Sequence, residues 1–168
     1  MISPDRNAQG GLVTVLGVGN PIMGDDGVGI ELLSALREVL ADSRVEFVDG
    51  GTAGMELLAV VQDSTKLLIL DAVTGSQPGD VVEFSGDQIA RLSSSKLSPH
   101  QVGLLDVFSA ARLTGRQPEE VGVVGVVPKS VDLHLGLSQV VTAALPGATA
   151  RALEIITAWL NETSEVGQ

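Results

Sequence analysis

KLLILDAVTGSQPGDVVEF, Lys66 to Phe84, holds two short apolar runs with ten residues between Leu70 and Val81. Both runs, Lys66–Leu70 and Val81–Phe84, read as strands. The link between them contains Gly75, Pro78 and Gly79, which do not build a helix. A crossover between parallel strands needs about a dozen residues or more, ordinarily with a helix in it. The fourth strand is therefore expected to run antiparallel to the third, in a mixed sheet.

Outward from that stretch, apolar strands alternate with helical patterns, the signature of an α/β chain. LVTVLGV (Leu12–Val18) reads as a buried first strand and VEFV (Val45–Val48) as the second. Between them, GIELLSALREVL places Leu32, Leu33, Leu36, Val39 and Leu40 on one helical face. GMELLAVV predicts a short helix before the third strand. SSSKLSPH reads as a polar loop leading into QVGLLDVFSAARL, a helix with apolar residues at 104, 105, 108 and 113. EVGVVGVV (Glu120–Val127) is the fifth strand, ended by Pro128, and the remainder is helical through ARALEIITAWL. Residues 1–168 are expected to form one domain with an ordered core at about 12–161.

Composition narrows the function classes. The chain is 44% hydrophobic with three Phe, one Trp and no Tyr, so Val, Leu, Ile and Ala must fill its core. Formal net charge is −11, and no Lys/Arg cluster offers the basic patch that nucleic acid or an anionic membrane requires. The absence of cysteine excludes a thiol nucleophile, a thiolate metal site and a disulfide framework. No consecutive apolar run reaches the roughly 18 residues of a membrane span, and MISPDRNAQGG lacks the apolar stretch of a signal peptide. A cytoplasmic location is expected.

GVGNPIMGDDGVG (Gly17–Gly29) follows the first strand and has the glycine density of a phosphate loop. It fails both phosphate patterns. Ile22 stands where G-x-G-x-x-G needs its third glycine, and no G-K-[ST] follows. Pro21 removes a backbone donor, and Asp25 and Asp26 would repel an anion. The loop suits a cation instead, because ligands of open α/β sheets sit outside the carboxyl ends of the strands. One of the two acids suffices to cap the following helix, which leaves the other for chemistry.

Asp71 closes the third strand, and His100 lies on the polar loop at a helix start. If strands one and three are neighbours, Asp71 meets the acid pair, and two adjacent carboxylates repel unless a proton or cation intervenes. Two carboxylates and an imidazole make an O/O/N set able to hold Ni, Zn, Mn or Fe. His134, between leucines, reads as structural or as part of the rim. No G-x-S-x-G elbow is present.

Taken together, GVGNPIMGDDGVG, DGGTAGMELL (Asp49–Leu58), LILDA around Asp71, SPHQVGLLDVFSAARLTG from Ser98 and VVGVVPKSVDLHLGLS up to Ser138 closely resemble the hydrogenase maturation proteases. These are nickel-dependent endopeptidases that finish [NiFe]-hydrogenase large subunits. The resemblance runs from about Leu12 to Leu160. It implies a three-layer α/β/α sandwich around a five-stranded mixed sheet with strand four antiparallel. It implies that Asp26, Asp71 and His100 are the catalytic residues and the nickel ligands, with Asp25 left as the helix cap. Asp49 corresponds to an acid that matters for substrate, so Asp49, Gly50, Gly51 and Thr52 are the expected substrate-binding turn. Some members carry Glu where this chain has Asp26.

The implied reaction is removal of a C-terminal extension from a nickel-loaded large-subunit precursor. Nickel would arrive with the precursor, other divalent metals substituting in vitro, and the protein would act as a monomer. Two rival readings stand beside it. A receiver-like or Mg-dependent phosphotransfer domain would use Asp25/Asp26, Asp71 and Lys129, although the acid pair lies about seven residues beyond the first strand. A nickel chaperone would bind the precursor without cutting it.

Overall fold

Strand pairing gives the order β2-β1-β3-β5-β4 in one five-stranded sheet. The structure is a computed structural model that describes residues 13–86, 88–89 and 99–165, with the side chains of 99–102 and 165 outside the description. The strands are β1 (Val13–Val18), β2 (Val45–Gly51), β3 (Lys66–Ala72), β4 (Val81–Ser85) and β5 (Glu120–Val126). β1 pairs in parallel with β2 and β3, β3 in parallel with β5, and β4 antiparallel with β5. The fourth strand thus opposes the third in direction, as its short link predicts, but does not touch it. β5 lies between them. The link crosses the end of β5 and is tied to it by Val73 N–H to Val126 O (3.1 Å) and Gly79 N–H to Val127 O (2.8 Å).

Four α-helices and two short 3-10 turns, Gly24–Gly27 and Met55–Leu57, accompany the sheet among the described residues; the α-helices are α1 (Val28–Val39), α2 (Leu58–Asp63), α3 (Pro99–Leu113) and α4 (Gln139–Glu165). Alternation along the strands divides the core into two halves. Val13 and Val15 of β1, Leu68 and Leu70 of β3, and Val124 and Val126 of β5 face α1 and α4, meeting Leu32, Leu36, Ala152 and Ile156. Leu16 and Val18, Leu67 and Ile69, and Val123 face α2 and α3, meeting Val61, Leu104, Val107 and Ala111. The result is the expected three-layer sandwich. β1 and β3 are buried along their whole length, which is why both read as unbroken apolar runs.

Helical periodicity overreaches at two helix ends. Val39 is 61% exposed and Leu113 is 89% exposed, each in the last turn of its helix, where no layer covers it. α4 is long and apolar enough to cross a membrane by length and composition. Here it lies on the sheet, with Val141, Ala148, Ala152 and Ile156 fully buried. Pro146 sits inside it and denies Thr142 the usual helical donor. The predicted SSSKLSPH loop falls mostly outside the described residues.

At the amino ends of the strands, Lys66 is buried among apolar neighbours. Its ammonium meets Glu162 at 2.6 Å and Glu120 at 2.9 Å and lies 6.0 Å from the centroid of the Trp159 ring. Burial alone would lower its pKa, but the hydrogen bonds it donates to the two glutamates outweigh it and hold the ammonium above its ordinary value.

Candidate functional site

The chain leaves β1 for β2 on one side and returns to β3 on the other, so the carboxyl ends of β1 and β3 flank the point where strand order reverses. The glycine-rich loop fills that point. Two of its glycines are required by close approach. Gly19 has φ +133°, and a side chain there would collide with the Asp26 carbonyl oxygen. A side chain at Gly29 would collide with the carbonyl oxygens of both Val18 and Leu70, against which the first turn of α1 rests. The glycines therefore let backbone lie on backbone, and Asp26 is carried over the ends of β1 and β3.

Asp26 lies in a 3-10 turn, Gly24–Gly27, and is 4% exposed. Its Oδ2 accepts a hydrogen bond from Asn20 N–H at 2.9 Å, which closes the loop on itself. Asp71 is 2% exposed and belongs to β3, in register with Gly125, rather than to the turn beyond it. Its Oδ1 accepts from Ala72 N–H at 2.8 Å. A small apolar cavity beside it is lined by Ile69, Val73, Leu104, Phe108 and Val123. Burial first, and then the charge of Asp26, push the Asp71 carboxyl well above its ordinary value, with the Ala72 amide opposing them. The two acids are thus close enough to repel. A proton or a cation relieves that repulsion, and hard oxygen donors in a buried pair suit a divalent metal.

His100 occupies the second position of α3, one helical turn before Leu104, a residue of the cavity wall at Asp71. Its side chain lies outside the described residues. Among the described residues, no group of three His, Cys, Asp or Glu side chains gathers as a metal cluster.

Asp25 departs from expectation. Neither the 3-10 turn nor α1 carries a side-chain cap. Asp25, 1% exposed, faces the other way and holds the 129–138 loop. Its Oδ2 accepts from the amides of Lys129 (2.9 Å) and Ser130 (3.2 Å) and from the Ser138 hydroxyl (2.8 Å), and its Oδ1 from the Ser138 amide (2.7 Å). Burial would raise its pKa, but the Ser138 bonds and then those of Lys129 and Ser130 outweigh it and leave the carboxyl below its ordinary value. The helix it serves is α4, which begins directly after Ser138. Nothing local in the sequence announces a partner 113 residues away.

The Asp49–Thr52 turn forms a neighbouring part of the rim. Asp49 is exposed at the end of β2, and its Oδ1 accepts from Gly51 N–H at 3.0 Å. Gly51 has φ +48°, and its carbonyl accepts from Gly19 N–H at 2.8 Å, joining the turn to the acid loop. Gly50 is buried and Thr52 is exposed. His134 is exposed on the rim, where its backbone pairs with the acid loop: Gly24 N–H to His134 O is 2.8 Å and His134 N–H to Ile22 O is 3.0 Å. Lys129 is exposed and brings its amide, not its ammonium, to the acid pair.

Comparison with known proteins gives the family and the fold. The family model described as hydrogenase maturation protease matches residues 30–155. The chain is 41% identical over 145 residues to the hydrogenase 2 maturation protease of Escherichia coli K12, covering 84% of this chain and 88% of that protein. It is 32% identical over 152 residues to the hydrogenase expression/formation protein HoxM of Cupriavidus necator, covering 88% and 75%. Among solved structures it is similar to the hydrogenase maturating endopeptidase HybD from E. coli, with a TM-score of 0.82, 38% identity and coverage of 87% and 92%. The [NiFe] hydrogenase maturation protease HybD from Thermococcus kodakarensis gives a TM-score of 0.71 at 28% identity, covering 85% and 97%.

Proposed function

The chain belongs to the hydrogenase maturation protease family, and from that premise we propose that it is the endopeptidase that trims the C-terminal extension of a nickel-loaded [NiFe]-hydrogenase large-subunit precursor. The observation that carries the reading is the buried pair Asp26 and Asp71 at the switch point, whose mutual repulsion a divalent cation removes. Nickel enters as cargo of the substrate. Asp26 and Asp71 supply oxygen donors to it, and His100, at the start of α3, supplies nitrogen.

In this reading, engaging the metal fixes the precursor on the enzyme and sets the scissile peptide in register, converting recognition into proximity. The nickel supplies a Lewis acid at that place. Asp71 would hold the cation as a carboxylate, because a metal-binding carboxylate must be ionised. His100 must be neutral to donate, so activity falls when the imidazole is protonated.

The phosphotransfer reading has no support from Lys129, whose side chain is exposed. The chaperone reading shares the metal site and differs only in outcome. Purified precursor, nickel-loaded and nickel-free in separate reactions, is incubated with the protein and weighed by mass spectrometry. Selective loss of the extension from the nickel-loaded form is expected, and it should vanish with His100→Ala. Binding without mass loss would make the protein a chaperone, and normal cutting by His100→Ala would remove that residue from the site.

A further inference from the structure

Four apolar side chains stand in solvent beside the acid loop: Ile22 (50% exposed), Val131 (47%), Leu133 (77%) and Leu135 (76%). The backbone that displays them is held in place. Gly24 N–H to His134 O, His134 N–H to Ile22 O and Asp25 N–H to Ser130 O join the two segments, and the Asp25 carboxylate accepts four further bonds from Lys129, Ser130 and Ser138. Met23 and His134 form a parallel bridge, so Ile22 and Leu133, each one residue earlier, lie side by side. A loop so heavily bonded cannot fold its leucines away. An apolar surface fixed in water is a mark of a contact that is completed by something else.

The position of the patch says what completes it. Ile22 and Met23 run directly into Gly24, Asp25 and Asp26, so the patch borders the loop that carries the buried acids. A precursor that places a peptide bond at Asp26 and Asp71 has this patch beside its cut. Lys129 and Asp132 flank the leucines with opposite charges, so net charge does not select the occupant. We infer that Ile22, Val131, Leu133 and Leu135 form the docking surface for the large-subunit precursor, and that apolar residues of the precursor next to the cut cover Leu133 and Leu135. The inference rests on the endopeptidase reading above. Asp25 is then a positioning residue, holding the docking loop and the metal-facing acid in fixed relation.

The test uses the full chain and a purified [NiFe]-hydrogenase large-subunit precursor. Leu133→Ser/Leu135→Ser and, separately, Ile22→Ser are compared with Leu113→Ser, which alters a still more exposed leucine in the last turn of α3, far along the chain from the acid loop. Precursor binding is followed by biolayer interferometry, and trimming kinetics with nickel-loaded precursor. The double variant is expected to weaken binding and raise KM by about tenfold with kcat held, at a melting temperature equal to wild type. Leu113→Ser should change neither. Unchanged binding and KM in the double variant would overturn the inference. If the wild type binds without trimming, the endopeptidase reading falls, and the loss or retention of binding in the variants still decides the docking surface. If the wild type sediments as a dimer that the double variant dissolves, the patch is covered by a second copy and the inference fails.

Discussion

Replacing Asp71 by asparagine is expected to make the protein more stable and unable to process precursor. The substitution keeps the shape of the side chain and its amide acceptor for Ala72 N–H, now at 2.8 Å. It removes the acid that burial and the Asp26 charge hold well above its unfolded value of 3.8. A raised carboxyl means that the folded state binds the proton more tightly than the unfolded chain. Its contribution is therefore full below the unfolded pKa, declines as pH rises towards the folded value, and stays lost above it. Asparagine has no such decline. With a group 2% exposed, the relief at neutral pH is about 1–3 kcal/mol, the cost of a buried polar group left poorly satisfied. For a chain of this length that is about 2–4 °C in melting temperature per kcal/mol. Denaturant melts followed by far-UV circular dichroism at about pH 5 and about pH 7.5 measure the difference, which should be larger at the higher pH. A variant no more stable than wild type at the higher pH, or a gain independent of pH, would refute the account of Asp71 as a strained carboxyl.

Asp25→Ala strands three amides and the Ser138 hydroxyl and should cost about 2–4 kcal/mol in equilibrium unfolding. Because the Asp25 carboxyl is held below its ordinary 3.8, its contribution is present above that pH and lost as pH falls through the lower folded value, so the gap to wild type should close in acid. Gly29→Ala drives a methyl into two backbone carbonyls that have no room to move, and urea melts should show a loss of about 3 kcal/mol or more. Lys66→Met should cost less than about 1 kcal/mol in the same assay, because its partners Glu120 and Glu162 are 44% and 60% exposed and return to water. A loss as large as that of Gly29→Ala would mean that the ion cluster, not the packing around it, secures the amino ends of the strands.

The direction of β4 was legible because a ten-residue link with Gly75, Pro78 and Gly79 leaves no room for a crossover helix. That β5 would intervene was not, because strand adjacency is settled by long-range pairing and the link alone does not encode it. The meeting of Asp26 and Asp71 followed from two local facts, a glycine loop after β1 and an acid at the end of β3, joined by one assumption about neighbouring strands. Asp25 was misread for the opposite reason. A pair of acids before a helix carries the local signature of a cap, whereas its actual partners, Lys129, Ser130 and Ser138, become neighbours only when the 129–138 loop closes on the site. Val39 and Leu113 show the same limit in the helices, where periodicity continues through a last turn that nothing covers.

The position of Trp159 has an optical consequence. It is the only tryptophan, and the chain has no tyrosine. Its ring lies by Lys66 at the amino end of β3, five residues and about 17 Å along the strand from Asp71. Ultraviolet emission therefore reports whether α4 is seated on the sheet and is blind to the mouth around Asp26 and Asp71. That silence makes the mouth a dark background: a tryptophan introduced at Ile22 or Leu135 in a Trp159→Phe chain would be the sole emitter, and its spectrum would follow substrate arrival without an added label.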